Sequence, residues 1–424
     1  MLGITLDPAA FVSAKIPRMS EPTVQTISVN SVIDWLADGA RSTPQVDLFM
    51  TETCERLVDC GIPLWRVGVF VRTLHPSMLG RNFVWRSGEG VSVGAISHGD
   101  EREDFFLTSP LAIVFEHGRE VRQRLIGTDA SNSPFFAEMR EQGATDYLAY
   151  PLLMSDGTIH ACSWVTRDNG GFTGAQLDGI RAVMPSLTRM IEIFLLRRTA
   201  AGLLDNYVGA GAGARILAGQ IRRGHTETMN AAIWLSDLRG FTPLSDRLSP
   251  EAVVEILNRY FDCQVPAILD HGGEVLKFMG DGLLAVFPIA ADDSDAEAVC
   301  ARVLAAARKS RESVAAMTYA DGADTLGSFR FGLALHVGKV LYGNIGGGNR
   351  LDFTCIGPAV NLAARIEKIA GRLNRTIVAS AEFAHHAGTD WADLGHFSVA
   401  GFAAPERVYG LPDENTAHGP LADK

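Results

Sequence analysis

The segment EVLKFMGDGLLAVF, residues 274–287, places Gly280-Asp281-Gly282 between two apolar runs. Glycine adopts positive φ without strain, and Asp-Gly between apolar residues is a strong hairpin signal. The segment therefore predicts two antiparallel strands with Asp281 at the tip of the turn. Taken alone it indicates only a turn, so any chemical role for Asp281 depends on what stands elsewhere in the chain.

Strands and helices alternate around this hairpin in an order typical of an α+β fold. The buried strand MNAAIWLSD ends on Asp237, and Ser249-Pro250 supplies an N-cap and a first-turn proline for a helix. After the hairpin come an Ala-rich helix, the strand SFRFGLALHV, a second hairpin KVLYGNIGGGNRLDFTCIG and the helix PAVNLAARIEKIAGRL. The order strand, helix, two strands, helix, strand predicts a ferredoxin-like α/β sandwich with an added terminal hairpin.

The front half of the chain has a different pattern. Helical spacing around Val46–Val58 is followed by strand-like runs such as LWRVGVFV and IHACSWV, and a long helix with Thr173 as N-cap closes the segment. The order YPL, SDG, strand, FTGAQLDGI resembles a GAF-type sensory domain, and a dimerisation domain without a ligand is the alternative. We expect a flexible leader at 1–30, the GAF-like domain at 31–198, a linker at 199–228, a second domain at 229–412 and a flexible tail at 413–424.

Composition excludes several classes of function. The formal net charge of −11 argues against wholesale binding of nucleic acid or of an anionic membrane, because both select basic surfaces. The six cysteines show neither a disulfide framework nor zinc-ligand spacing, so we expect reduced thiols and a cytoplasmic location. The N-terminus lacks a signal-peptide core, and no uninterrupted apolar run reaches the roughly 20 residues that span a bilayer.

Two carboxylates stand where a metal–nucleotide site could form. Asp237 follows an apolar strand and Asp281 is at the tip of a hairpin that would lie beside it. Each is followed by a glycine-containing turn whose amides could meet phosphate oxygens, and Mg²⁺ requires oxygen ligands. The alternative for Asp237 is an Asx-turn or a helix cap.

Three long motifs in this order, AAIWLSDLRGFT, EVLKFMGDGLLAVF and RLDFTCIGPAVNLAARIE, resemble the catalytic domain of class III nucleotide cyclases. The resemblance covers about 229–412, and the upstream NYVG and RILAGQIRRG segments are similar to the lead-in of bacterial members. It implies conversion of ATP to 3′,5′-cyclic AMP and pyrophosphate, with the ribose 3′-hydroxyl attacking the α-phosphorus.

The resemblance also assigns roles to residues of this chain. It implies two Mg²⁺ or Mn²⁺ ions held by Asp237, Asp281 and the carbonyl of Leu238. It further implies that Asn361 orients the ribose and that Arg365 stabilises charge on the α-phosphate. The phosphates would be contacted by the backbone of Gly240, Phe241 and Thr242.

Base choice is expected to rest on Lys277 and Thr354. Lysine can donate to N1 of adenine, and a threonine hydroxyl can accept from the N6 amino group. By resemblance this pairing belongs to a bacterial subgroup that makes cyclic AMP, and it argues against GTP. The lysine that the family often uses for the triphosphate is missing near the final strands, where the sequence offers Arg407.

The resemblance implies a homodimer, because in this family the metal carboxylates and the Asn/Arg pair of one site come from opposite chains. We expect ATP as substrate and allow for a small-molecule effector at the front domain. One rival is a catalytically inactive, nucleotide-binding signalling module of the same fold. Another is a palm-like diguanylate cyclase, which shares the metal chemistry but does not explain the NLAAR helix.

Overall fold

The computed structural model describes residues 28–41, 45–75, 78–97, 109–127, 133–321, 324–327, 329–348, 350–388, 390–402 and 404–414. The chain divides into two compact units, residues 1–199 and 200–424, which are described separately below. The expected flexible leader at 1–30 and tail at 413–424 lie almost wholly outside the described residues.

Six antiparallel strands form the sheet of the first unit, in the order β3-β2-β1-β6-β5-β4. They are β1 (Arg66–His75), β2 (Met78–Arg86), β3 (Gly90–Ser97), β4 (Val121–Arg124), β5 (Asp146–Leu153) and β6 (Ile159–Thr166). The central strand β6 is buried along nearly its whole length, which requires helices on both faces of the sheet.

Helices cover both faces of this first sheet. They are α1 (Val29–Ala37), α2 (Val46–Asp59), α3 (Pro110–His117), α4 (Pro134–Glu141) and α5 (Gly174–Val208). One apolar core lies under α1, α2 and α5, and a second, rich in phenylalanine, lies under α3 and α4.

Helix α5 begins as the sequence predicts and ends later than it predicts. Thr173 caps it, because its Oγ1 accepts from the Gln176 amide at 3.3 Å while the Gln176 side chain accepts from the Thr173 amide at 2.9 Å. The helix was expected to close by residue 198 but continues to Val208, because TAAGLLDNYV contains no proline and its two alanines and two leucines favour helix. Gly209, with φ of 89°, ends it.

The second unit is built on an eight-stranded sheet in the order β15-β16-β14-β12-β7-β9-β8, with β13 pairing to β12. Only β12 and β14 run parallel. The strands are β7 (Thr226–Leu238), β8 (Glu274–Met279), β9 (Gly282–Ile289), β12 (Phe331–Gly347), β13 (Arg350–Ile356), β14 (Ile377–Ser380), β15 (Ala392–Phe397) and β16 (Glu406–Gly410). A short separate hairpin is formed by β10 (Tyr319–Asp321) and β11 (Asp324–Leu326).

Helices flank this second sheet on both faces, and the mixed α+β class is confirmed. They are α6 (Ala210–Leu217), α7 (Phe241–Ser245), α8 (Pro250–Asp262), α9 (Val265–Asp270), α10 (Ala296–Ala316), α11 (Pro358–Arg372) and α12 (Ala381–Ala387). Helix α8 begins as predicted, because Ser249 accepts from the Ala252 amide at 3.2 Å and Pro250 occupies the first turn.

Residues Phe331–Gly347 form a single strand of 17 residues, β12. The sequence predicts instead one strand, SFRFGLALHV, followed by a separate hairpin that begins at KVLYG. Strand β12 stays continuous because β7 pairs with it without a break, from Phe331 opposite Leu238 to Gly343 opposite Thr226. On its other edge, β12 pairs first with β14 and then with β13.

The Gly-Ala run within residues 199–228 is packed against the second sheet. Ala212 of α6 is fully buried, and its amide donates to Oε1 of Glu274 at 2.9 Å. Oε2 of Glu274 accepts from the Tyr342 hydroxyl at 2.8 Å. A Cβ atom at Gly211 would lie 2.6 Å from this carboxylate, so the small residues are required for close approach.

Candidate active site

Asp237 and Asp281 are brought to one edge of the second sheet. Asp237 is the penultimate residue of β7 and pairs in register with Gly282, the first residue of β9. Asp281 precedes Gly282 in the turn after β8, where Gly280 has φ of 68°. The hairpin predicted from the sequence therefore forms, and it sets the two carboxylates side by side.

The electrostatics of this pair favour a bound cation. Burial and, to a smaller extent, the negative charges of Asp281 and Glu367 together raise the pKa of Asp237 to about 6. Two carboxylates that repel each other in a half-buried place are relieved by a positive charge between them. In the described ranges no group of three or more His, Cys, Asp or Glu side chains suits a metal ion. The remaining ligands of a hard cation would thus be backbone, water and substrate oxygens, as Mg²⁺ commonly accepts.

The loop after β7 presents backbone amides beside this pair. Gly240 has φ of 72° and caps the short helix α7. The amides of Phe241 and Thr242 stand in its first turn, where they have no acceptor within the helix. Leu238 connects Asp237 to this loop and is 3% exposed.

Arg239 joins this loop to helix α11. Its Nη2 lies 2.8 Å from Oε1 of Glu367, whose side chain is 9% exposed. A Cβ atom at Gly332 would overlap with Nη2 of Arg239, and one at Gly371 would lie 2.9 Å from Nη1. The guanidinium therefore occupies a slot that two glycines leave open. Burial raises the pKa of Glu367, and the charge of Arg239 opposes that rise.

Asn361 and Arg365 lie one helical turn apart on the exposed side of α11. Pro358 occupies the first turn of this helix, as predicted from Gly357-Pro358. The buried stripe of the same helix, which includes Leu362, Ile366 and Ile369, faces the core. Both polar side chains thus point away from the body of their own unit, and Arg365 forms no ion pair within the described part of the chain.

Lys277 and Thr354, predicted to read the base, lie on strands β8 and β13. Lys277 Nζ is 2.7 Å from Oδ2 of Asp352, two residues before Thr354. Thr354 is 3% exposed, and its hydroxyl has no hydrogen-bond partner among the described residues. Burial raises the pKa of the Cys355 thiol to about 11, and the nearby Lys277 ammonium opposes that rise.

Arg407, the expected substitute for a triphosphate lysine, is engaged elsewhere. It lies on β16, three strands away from β7 in the sheet, and its Nη2 is 2.7 Å from Oδ2 of Asp393. At roughly 5 Å between neighbouring strands, this separates Arg407 from the carboxylate pair of its own chain by about 15 Å. The structure does not bring it to that pair.

Three residues that the sequence interpretation missed join this site. Arg239 and Glu367 are 128 positions apart in the sequence, and Lys277 and Asp352 are 75 positions apart. Only Asp352 carried a local signal, since it stands two places before Thr354 and therefore on the same face of a strand. No local sequence signal predicts the ion pair of Arg239 with Glu367, because the residues around each of them give no indication of the partner.

Residues 224–409 match a family model described as "Adenylate and Guanylate cyclase catalytic domain". Adenylate cyclase 1 of Rhizobium meliloti is 33% identical over 147 residues, which are 34% of this chain and 21% of that protein. The adenylate cyclase of Anabaena cylindrica is 34% identical over 150 residues, or 35% and 28% of the two chains. The chain thus spans less than a third of the length of these relatives.

Among solved structures, the adenylyl cyclase CyaB from P. aeruginosa is similar over 46% of this chain and 100% of that chain, at 27% identity and a TM-score of 0.37. Across the described residues, no helix combines the length and apolarity needed to cross a membrane.

Proposed function

We propose that this chain converts ATP to 3′,5′-cyclic AMP and pyrophosphate, on the premise that residues 224–409, which match the model of the adenylate and guanylate cyclase catalytic domain, form such a domain. The observation that carries the proposal is the meeting of Asp237 and Asp281 at one sheet edge, where mutual repulsion and burial raise the pKa of Asp237 to about 6. Such a pair is suited to Mg²⁺ or Mn²⁺ and to the charged phosphates that accompany these ions.

Asp237, Asp281 and the carbonyl of Leu238 would hold two Mg²⁺ or Mn²⁺ ions. When bound, these ions supply Lewis acidity to the ribose 3′-hydroxyl and neutralise charge on the triphosphate. The chain's own contribution is the geometry around them. The first-turn amides of Phe241 and Thr242, after the left-handed Gly240, are available to donate to phosphate oxygens.

Adenine would be read by Lys277 and Thr354. The ammonium donates to N1, and the Thr354 hydroxyl accepts from N6. The buried Thr354 hydroxyl has no hydrogen-bond partner among the residues that the structure describes, which supports this proposal, because buried polar groups are nearly always hydrogen-bonded and a ligand would satisfy this one. We therefore propose that the chain belongs to the Lys/Thr subgroup and prefers ATP to GTP.

Two chains would complete each site. Asn361 and Arg365 project from the exposed side of α11, while the carboxylate pair lies at the sheet edge. We propose that Asn361 orients the ribose and Arg365 stabilises the developing charge in the site of the partner subunit. A homodimer then has two equivalent sites, and a monomer has none.

The first unit would regulate this activity as a GAF-like domain at residues 31–198. Helix α5, Gly174–Val208, carries the chain across residue 199 as a single helix. Comparison of full-length protein with a fragment of residues 200–424 tests this. Equal turnover and equal dimerisation in both proteins would rule out regulation by the first unit, and with it the expected effector.

Product analysis tests the main proposal. Purified protein is incubated with ATP or GTP and Mn²⁺, beside Asp281→Ala and the control Asp270→Ala, an exposed carboxylate of α9. We expect cyclic AMP from ATP in the wild type and the control, with a loss of at least about a hundredfold in Asp281→Ala. A dimer that binds ATP without forming cyclic product would instead identify the nucleotide-binding signalling module. Near the final strands, where the family often has a lysine for the triphosphate, this chain has Arg407 in an exposed ion pair with Asp393, and the absence of that lysine favours the second candidate.

A further inference from the structure

The carboxylate of Asp352 holds the ammonium of Lys277. The 2.7 Å contact between Nζ and Oδ2 joins strand β8 to strand β13, which are not neighbours in the sheet. Both side chains are partly open to solvent, with exposed fractions of 33% for Lys277 and 54% for Asp352. An ion pair this exposed contributes little to the free energy of unfolding, so a contribution to stability does not account for the presence of this pair.

Asp352 shares a strand face with Thr354. Side chains two positions apart on a strand point to the same side, so the partner of Lys277 and the buried Thr354 hydroxyl are presented together. Asp352 is thus next to both groups that would contact a purine. Its carboxylate accepts from the Lys277 ammonium, and it is positioned to affect recognition through that contact.

We propose that Asp352 is a positioning residue for nucleobase selection, an inference that rests on the proposed adenylate cyclase function. An ammonium has three N–H donors, so Lys277 can give one to Asp352 and still offer another to N1 of adenine. Lysine has a flexible four-carbon side chain, which loses conformational entropy when a ligand fixes its ammonium group. If Asp352 already fixes the ammonium before the nucleotide binds, that entropic cost of binding is smaller. The pair thereby makes Lys277 a directed donor.

The same pair disfavours guanine. N1 of guanine carries a proton, so Lys277 has no acceptor at that position. A free carboxylate could accept that proton and so recognise guanine, but the carboxylate of Asp352 is already neutralised by Lys277. Asp352 therefore favours adenine in two ways. It orients the Lys277 ammonium towards N1 of adenine, and its own carboxylate is not free to accept the N1 proton of guanine.

Asp352→Asn tests the inference, with Asp270→Asn as a matched control. Asp270 forms an exposed ion pair with Lys309, Oδ2 to Nζ 3.2 Å, in the same unit and away from the site. The substrates are ATP and 1-deaza-ATP, which differ only in the N1 acceptor. We expect the wild type and the control to prefer ATP by about tenfold or more, as for a hydrogen bond from a charged donor.

In Asp352→Asn we expect this preference to fall to about threefold or less, and the KM for ATP to rise several-fold while kcat changes by about twofold or less. Asp352→Glu, which keeps the charge, should recover part of the preference. A loss of rate that is equal for ATP and 1-deaza-ATP would mean a purely structural role and would overturn the inference.

Binding separates failure of this inference from failure of the proposed function. The analogue 3′-deoxy-ATP lacks the attacking hydroxyl, so its dissociation constant can be measured by calorimetry whether or not the protein is a cyclase. We expect Asp352→Asn to reduce the preference for 3′-deoxy-ATP over 3′-deoxy-GTP by about fivefold or more. An unchanged preference refutes the role of Asp352, whereas absence of cyclic product in the wild type refutes only the function.

Discussion

The guanidinium of Arg239 and the carboxylate of Glu367 lie 2.8 Å apart and join the loop after β7 to helix α11. Arg239 is two residues from Asp237, and Glu367 is two residues from Arg365. An ion pair thus connects the loop beside the metal-binding candidate Asp237 to the helix that carries Arg365. In the proposed dimer that helix would serve the partner's site, so this contact would link the two sites.

Glu367→Gln should weaken both stability and activity. The change leaves Arg239 in its glycine-lined slot without its counter-charge, which should cost about 1–3 kcal/mol of unfolding free energy. Urea unfolding and kcat/KM are measured beside Glu382→Gln, an exposed carboxylate in the first turn of α12. Wild-type stability in Glu367→Gln would show that the pair is dispensable.

Mixing two inactive variants should restore activity if each site combines two chains. Asp281→Ala removes one half of the site and Arg365→Ala the other, so a mixed dimer retains one intact site of two. Random mixing at equal amounts should give about a quarter of the wild-type rate. Recovery is measured after refolding or long incubation together, with each variant alone as the control. No recovery in a mixture that demonstrably exchanges subunits would place all of these groups within one chain.

Arg66→Met should stabilise the first unit. Arg66 is 9% exposed, and its Nε and Nη1 have no hydrogen-bond partner within the described residues. Burial lowers its pKa, which indicates that the charged form is poorly accommodated. Replacing an unpaired buried charge by an apolar side chain of similar length should raise the unfolding free energy by about 1 kcal/mol or more.

Calorimetry of the full-length protein provides the measurement for Arg66→Met. Arg86→Met is the control, since Arg86 lies directly opposite Arg66 on β2 and is only half-buried. A lower transition temperature for Arg66→Met than for the control would contradict the prediction and would mean that the guanidinium supports the fold.

Stability should fall as the solution is acidified below pH 6.5, in part through His336. Burial lowers its pKa to about 4, while an unfolded histidine titrates near 6.5. Between these values the unfolded chain takes up a proton that the folded chain does not, so stability is full above pH 6.5 and declines towards pH 4. The linkage amounts to at most about 3 kcal/mol.

His336→Gln should flatten this decline, because glutamine does not titrate and can keep a hydrogen bond to Ser380, whose Oγ is 2.8 Å from Nδ1 of the histidine. Urea unfolding at pH 7.5 and pH 5 gives the comparison. A pH dependence identical to that of the wild type would mean that other groups cause the acid sensitivity.

Local signals in the sequence were sufficient for the hairpin and for the helix starts. The Gly-Asp-Gly turn, Ser249-Pro250 and Thr173 each act through backbone geometry within a few residues, and each forms as predicted. The continuity of β12 was missed because it depends on β7, about a hundred residues earlier, which pairs with it along its whole length. Local alternation does not reveal how long a partner strand is.

The candidate site divides in the same way. The proximity of Asp237 and Asp281 could be predicted from the sequence, because Asp237 lies at the end of a recognisable strand and Asp281 precedes another. Asp352 and Glu367 act on residues far away in sequence, and the contacts become visible only when the strands and helices are placed. The contact of Arg407 with Asp393 on the neighbouring strand is of the same kind, and a phosphate-binding role for Arg407 stays a prediction.

The packing of helix α6 determines where the catalytic unit can be cut. The family match begins at residue 224, yet Glu274 accepts from the Ala212 amide and from the Tyr342 hydroxyl. A fragment that starts at residue 224 would lack the Ala212 amide and would expose the apolar surface that now buries Ala212. Glu274, which would lose this hydrogen bond, lies three residues before Lys277 on β8. An expression fragment whose start is taken from the sequence match alone would omit part of the hydrophobic core of this unit.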